Sequence, residues 1–281
     1  MAILRSYLEP PTNLILISPT RNPLWSAVMA LALSLLVPRA LAEGTNDPAA
    51  ELKDLISRIN VKLTAGTNTE TGLAPELKEF DVLLARHKNE KTENVAQILY
   101  MKAKLYSQVF GNTARAIELM NQVKHDYPDL VTARLADRDV AQVSLAAGRF
   151  PDFEETDVAG KPLSVSNYKG KVVLVDFWAT WCRPCVGEVP NVIKAYQKFH
   201  DRGFEVIGIS LDRDKDQLTT FIRQKEMPWQ QCFDSQGKLS GRYGIVGIPT
   251  TYLLDRDGKI IARDLRGGAL EEMLARVLPE K

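Results

Sequence analysis

The chain has 281 residues, of which 45% are hydrophobic and 25% charged, and its formal net charge is +1. That length accommodates one large domain or two smaller ones with an ordinary packed core. Acids and bases are interleaved throughout, which excludes the one-sided basic surface of a nucleic-acid binder, and three cysteines are too few to staple a small disulfide scaffold.

Residues 1–42 read as an export signal. Arg5 and Arg21 make the leader positive, and Leu24 to Val37 is an uncharged, mostly apolar run. The run is shorter than the ~20 residues a membrane-spanning helix requires. Ala40-Leu41-Ala42 then offers a small-x-small cleavage pattern. The long stretch before the apolar run, and Arg39 beside the cut, leave an uncleaved membrane anchor as the alternative. No Cys follows Ala42 closely, so a lipidated mature N-terminus is not expected. Export places the chain in the periplasm or another extracytoplasmic, oxidising compartment, where disulfides persist unless something reduces them.

Residues 43–149 are expected to form a helical domain. Glu43 to Ala50 is small and polar, a linker. Leu52, Leu55, Ile56, Ile59 and Leu63 then recur at helical spacing, followed by Leu77, Phe80 and Leu84. Ile98, Met101, Leu105 and Val109 mark a third helix, and Ala116, Leu119, Met120, Val123 and Tyr127 a fourth, closed by Pro128. A fifth covers Leu130 to Ala147, before Gly148. Val95 to Pro128 is weakly tetratricopeptide-like: Tyr106, Ala116 and Pro128 sit near the expected places, with no clear second copy. These apolar residues are read as helix-packing core rather than a peptide groove.

The composition shifts after Phe150, so residues 150–281 form the second domain. Val172 to Ala179 is a continuous apolar run rich in β-branched residues, a buried strand. Pro184 to His200 is amphipathic and helical, Phe204 to Leu211 is a second apolar strand, and Leu218, Phe221 and Ile222 belong to another helix. Thr250 to Leu254 and Lys259 to Arg263 are strands joined by a turn at Asp255-Arg256-Asp257-Gly258. Ala269 to Leu278 closes the chain as a helix. This order describes an α/β layer fold.

Trp181-Cys182-Arg183-Pro184-Cys185 stands at the strand-to-helix junction. A cysteine at a helix N-terminus meets unpaired N–H groups and the positive end of the helix dipole, which favour a thiolate near neutral pH. Two intervening residues bring the second sulfur within bonding reach, and Pro184 suits the first helical turn, where no N–H is needed. Three other readings stand beside redox chemistry. Half a zinc site lacks its second pair, because Cys232, His87, His125 and His200 are scattered without ligand spacing. Haem attachment needs a His where Val186 stands. A purely structural disulfide over so short a loop constrains the unfolded chain little.

The stretch from Phe177 to Cys185, FWATWCRPC, resembles the thioredoxin superfamily. The flanking residues narrow it: Cys185-Val186-Gly187-Glu188-Val189-Pro190 is similar to the CxxExP extension of TlpA/ResA-like exported thiol-disulfide oxidoreductases. Gly247-Ile248-Pro249-Thr250 resembles their cis-proline loop, and Pro151-Asp152-Phe153, Leu163 and Lys169-Gly170-Lys171 their leading hairpin. The likeness covers about Phe150 to Lys281 and implies a thioredoxin-like fold, a central mixed sheet flanked by helices. The related AhpC/TSA-type peroxiredoxins carry Pro and Thr where this chain has Val175 and Ala179, which argues against a peroxidase.

By that resemblance, Cys182 is the attacking thiolate, Cys185 the resolving thiol, and Asp176 a buried acid that relays a proton to or from Cys185. The alternative for Asp176 is a carboxylate turned to solvent. Pro249 is expected to be cis and to face the pair, with Ile248 offering backbone groups to a substrate chain added as a strand. Trp181 would shield the pair, unless it is simply core. Arg183, Pro184 and Glu188 are secondary candidates, Glu188 having a solvated helix face as its equal alternative. Pro190 would kink the helix, and Cys232 is a small buried apolar residue. No metal and no cofactor are implied. The expected partners are proteins with disulfides, apocytochrome c among them, and a membrane electron donor, with no nucleic acid. The expected function is an exported reductase of protein disulfides. The alternatives are a partner-binding module with a minor redox role and an exported oxidase or isomerase; Arg-Pro between the cysteines lacks the His of oxidising relatives.

Overall fold

The computed structural model describes residues 47–280. The expected signal, its cleavage site and the first half of the linker lie outside the described residues, and Pro48 to Ala50 of that linker already belong to a helix. The chain divides into two compact units between Leu119 and Met120.

In the first unit, α1 (Pro48–Thr64), α2 (Ala74–Arg86) and α3 (Glu93–Gln108) pack on one another. Asp47 caps α1 by accepting the amide of Ala49 at 3.1 Å, with Pro48 in the first turn, and Thr92 caps α3. Leu52, Leu55, Ile56 and Ile59 of α1, Phe80 and Leu83 of α2, and Ile98, Met101 and Leu105 of α3 are buried. Their three- and four-residue spacing puts them on one stripe per helix. The helix α4 (Thr113–Asp126) spans the division.

The second unit is a sheet between two helical layers. Its strands are β3 (Val172–Trp178), β4 (Phe204–Ser210), β5 (Gln230–Phe233), β6 (Thr250–Leu254) and β7 (Ile260–Arg263), ordered β5-β4-β3-β6-β7. β3, β4 and β5 run parallel, and β6 and β7 are antiparallel to their neighbours. A small hairpin, β1 (Glu155–Thr156) with β2 (Pro162–Leu163), precedes the sheet. Side chains alternate between faces along each strand. Val172, Leu174 and Trp178 of β3 pack into one core with α6 (Arg183–Phe199), α7 (Lys215–Gln224) and α9 (Gly268–Val277). Val173, Val175 and Phe177 pack into the other core with Phe150, Phe153 and residues of α5 (Val131–Ala146) and α8 (Lys238–Tyr243).

The division at Leu119/Met120 precedes the compositional shift at Phe150. Ala141 and Leu145 of α5 belong to the same buried cluster as Phe150 and Tyr243, whose rings stack 4.7 Å apart. Arg263 donates to the Leu145 carbonyl at 2.8 Å, and the amide of Ile260 to the Gly148 carbonyl at 2.8 Å. The last helix of the expected helical domain is thus a layer of the α/β unit.

Candidate active site

β3 delivers the chain to the site, and α6 starts there. The sulfurs of Cys182 and Cys185 are bonded at 2.05 Å. Cys182 is the N-cap residue of α6, and its sulfur accepts the amide hydrogen of Cys185 at 3.2 Å. A sulfur there faces the helix's unpaired N–H groups, so negative charge on it is stabilised. Both cysteines are buried, while Arg183 and Pro184 between them are exposed. Pro190 lies within α6.

The loop before the pair is held from beneath. Thr180 donates its backbone amide (3.0 Å) and its hydroxyl (2.7 Å) to the carboxylate of Asp212, which is fully buried just beyond β4. The Ser210 hydroxyl also donates to Asp212, at 2.7 Å. Trp181, next in the chain, is 61% exposed and therefore not core; the buried indole is Trp178, whose Nε1 donates to Gln231 at 3.0 Å.

Alternation along β3 puts Asp176 on the same face as Leu174 and Trp178, the face that carries α6. In register across the sheet lie Gln231, Gly208, Asp176 and Thr251. A Cβ at Gly208 would lie 1.8 Å from the Gln231 side-chain oxygen, so any larger residue there would displace that side chain from Trp178. The residue Asp176 is half-buried, but its Oδ1 is shut off from solvent and has no hydrogen-bond partner among the described residues. Burial pushes its carboxyl up to about 7; the positive charge of Arg266 pulls the other way, and the negative charge of Glu188 adds to the rise. One oxygen of the Asp176 carboxylate therefore faces the protein interior and not solvent. Glu188 is likewise not on an open helix face: it is half-buried and accepts the amide of Gly267 at 2.8 Å.

The Ile248–Pro249 peptide bond is cis. Ile248 packs against the cluster that contains both cysteines, and Val246, two residues earlier, is fully exposed. Exposed Trp181 and Val246 thus stand on the two loops leading to the pair and to the cis-proline. Cys232 is buried and unbonded, and burial pushes its thiol up to about 12.

Three residues of this neighbourhood carry no signal in the sequence motifs: Asp212, Gln231 and Arg266. Each acts across the fold from a position with no fixed spacing to the cysteines. Among the described residues there is no group of three or more His, Cys, Asp or Glu able to hold a metal, and no helix long and apolar enough to cross a membrane.

A bonded pair of cysteines at a helix N-cap, in a mixed sheet flanked by helices with a cis-proline just before an inner strand, defines a redox-active thioredoxin-like domain. The AhpC/TSA family model matches residues 147–263. Thiol-disulfide oxidoreductase ResA of Bacillus thuringiensis subsp. konkukian is 34% identical over 133 residues, covering 46% of this chain and 76% of that protein. ResA of Bacillus subtilis is 29% identical over 124 residues, covering 44% and 69%. A crystal structure of the thioredoxin domain of a thiol-disulfide oxidoreductase from Bacteroides vulgatus has 36% identity, covers 46% of this chain and 94% of that one, and gives a TM-score of 0.42. The chain belongs to the ResA/TlpA-like thiol-disulfide oxidoreductases of the thioredoxin superfamily, and it is a protein thiol-disulfide oxidoreductase.

Proposed function

We propose that this oxidoreductase is exported and runs in the reducing direction on disulfides of other proteins. The observation that carries the exchange chemistry is the Cys182 sulfur at the N-cap of α6, receiving the Cys185 amide at 3.2 Å; direction and export rest on the residues between the cysteines and on residues 1–42. In the dithiol form, the Cys182 thiolate attacks one sulfur of a substrate disulfide. The other substrate sulfur leaves as a thiolate and takes up a proton, and a mixed disulfide remains. Asp176 then accepts the thiol proton of Cys185, whose sulfur attacks Cys182. The second substrate sulfur departs and is protonated, and the Cys182–Cys185 bond forms. The substrate gains two electrons and the pair loses two.

Restoring the dithiol requires two electrons from another thiol pair, and in an oxidising compartment that donor is a membrane partner. Export is supported by the reading of residues 1–42, with cleavage after Ala42 and an uncleaved anchor as its variant. Trp181, Ile248 and the cis-Pro249 edge would receive the substrate as an added strand; Arg183 and Pro184 shape the entrance to α6. Apocytochrome c is one substrate of the kind the family resemblance suggests. Direction is supported by the absence of a His between the cysteines. Arg183 is exposed, so its charge is well screened and adds little to the thiolate. Equilibrating the pair with a glutathione series tests the reading. A strongly reducing potential is expected; a value near the oxidising extreme of about −120 mV overturns it.

A further inference from the structure

Across β6 from Asp176, Thr251 is bonded by Arg266, from the loop between β7 and α9, whose positive charge favours the Asp176 carboxylate. The same guanidinium donates through Nη2 to the carbonyl of Pro249 at 2.6 Å, and through Nη1 to the Thr251 hydroxyl at 3.2 Å and the Leu265 carbonyl at 2.9 Å. Thr251 is the residue directly opposite Asp176 on β6. The loop is built to present it. Asp264 takes a left-handed φ of 52° and exchanges bonds with Thr251, receiving its amide at 3.2 Å and giving its own amide to the Thr251 carbonyl at 2.9 Å. Gly267, at φ 55° and ψ −132°, occupies backbone space that only glycine enters freely.

We propose that Arg266 is a positioning residue of the reaction: one side chain holds the substrate-facing edge at cis-Pro249 and supplies the counter-charge to the buried acid. The inference rests on the relay role of Asp176. Among the described residues, the charged groups acting on Asp176 are Glu188 from α6 and Arg266 from the β7–α9 loop, itself 3.6 Å from Asp264; the relay reading adds Cys185 of α6 once it is reduced. The register neighbours on β4 and β6, Gly208 and Thr251, carry no charge. Fixing two acceptors at once uses the planar fork of arginine, which a lysine ammonium does not reproduce.

Removing the charge disfavours the Asp176 carboxylate, so the pH at which Asp176 becomes a working base moves up. Freeing the Pro249 carbonyl loosens the edge on which the substrate strand forms. The experiment uses the full exported chain in the dithiol form, as parent, Arg266→Met, Arg266→Lys, Asp176→Asn and the double variant Asp176→Asn/Arg266→Met. Release of the second thiolate from a small aromatic disulfide reads the resolving step against pH, and insulin reduction reads KM. In Arg266→Met the rising limb should move up by about one pH unit, a tenfold change in the ionisation equilibrium, and KM for insulin should rise several-fold. Arg266→Lys should keep the parent limb and raise KM. The double variant should have no limb to move. A limb unmoved in Arg266→Met overturns the proposal, whatever happens to stability. A limb that survives Asp176→Asn overturns the relay reading, and the proposal with it.

Discussion

Asp212 and Thr180 are joined twice, the carboxylate taking both the backbone amide and the hydroxyl of a residue that sits two positions before Cys182. A fully buried carboxylate survives because Thr180 and Ser210 satisfy it. Asp212→Ala strands three donors in one step. The expected loss is on the order of 2–4 kcal/mol in urea unfolding, together with slower insulin reduction, because Trp181 and Cys182 follow directly on the freed loop. A variant with parent stability and parent rate would mean the contact is idle.

Asp176 gives a pH-dependent signature. Its carboxyl is pushed up to about 7 by burial, so between the usual value near 4 and that point the folded chain keeps a proton the unfolded chain has released. Stability therefore falls as pH rises through this window. Asp176→Asn removes the effect. The gain should be absent at pH 4 and reach on the order of 2–4 kcal/mol by pH 8, read as the difference in urea midpoints. A gain that does not depend on pH contradicts the buried ionisation.

The cysteines should separate cleanly. Cys182→Ser should abolish disulfide reduction, and Cys185→Ser should accumulate mixed disulfides that no thiol resolves; mass spectrometry of the trapped species identifies the substrates. Cys232→Ala should leave the rate within about twofold, since its thiol is buried and pushed up to about 12. A large loss at Cys232 would make it a working thiol.

Fragments test the layer formed by α5. A chain starting at Asp129 retains Ala141 and Leu145 over Phe150 and Tyr243, whereas one starting at Phe150 exposes that surface. The longer fragment should be more stable by more than about 2 kcal/mol, the cost typical of emptying a single large apolar site. Equal urea midpoints would show that α5 is dispensable to the α/β core.

How legible each part was follows from how local its cause is. The stripe Leu52, Leu55, Ile56, Ile59 announces α1, and the run from Val172 announces β3, because both patterns are complete within one element. β5 is hidden: Gln230-Gln231-Cys232-Phe233 is polar and short, and its burial comes from pairing with β4. The six-residue α8 is bounded by two left-handed glycines, Gly237 and Gly244, and carries no full helical period. α5 has the same pattern as the helices before it, so nothing local says that it packs on a sheet. The cysteine pair was legible as a motif of fixed spacing at a strand-to-helix junction, and the cis-proline only through the family resemblance. Arg266 was not, since its partners Pro249 and Thr251 stand 17 and 15 residues away, at the start of β6.

The uncharged place beside Asp176 on β4, where Gly208 leaves room for the Gln231 amide, has a consequence for how such a site changes over time. A charge lodged inside the sheet is fenced by register on both sides, and altering it disturbs every rung. Here the charge arrives from a surface turn instead, at the end of an arm. The acidity of Asp176 can drift with substitutions in that turn while the sheet and its two helical layers stay untouched, so a single scaffold can supply descendants suited to compartments of different acidity.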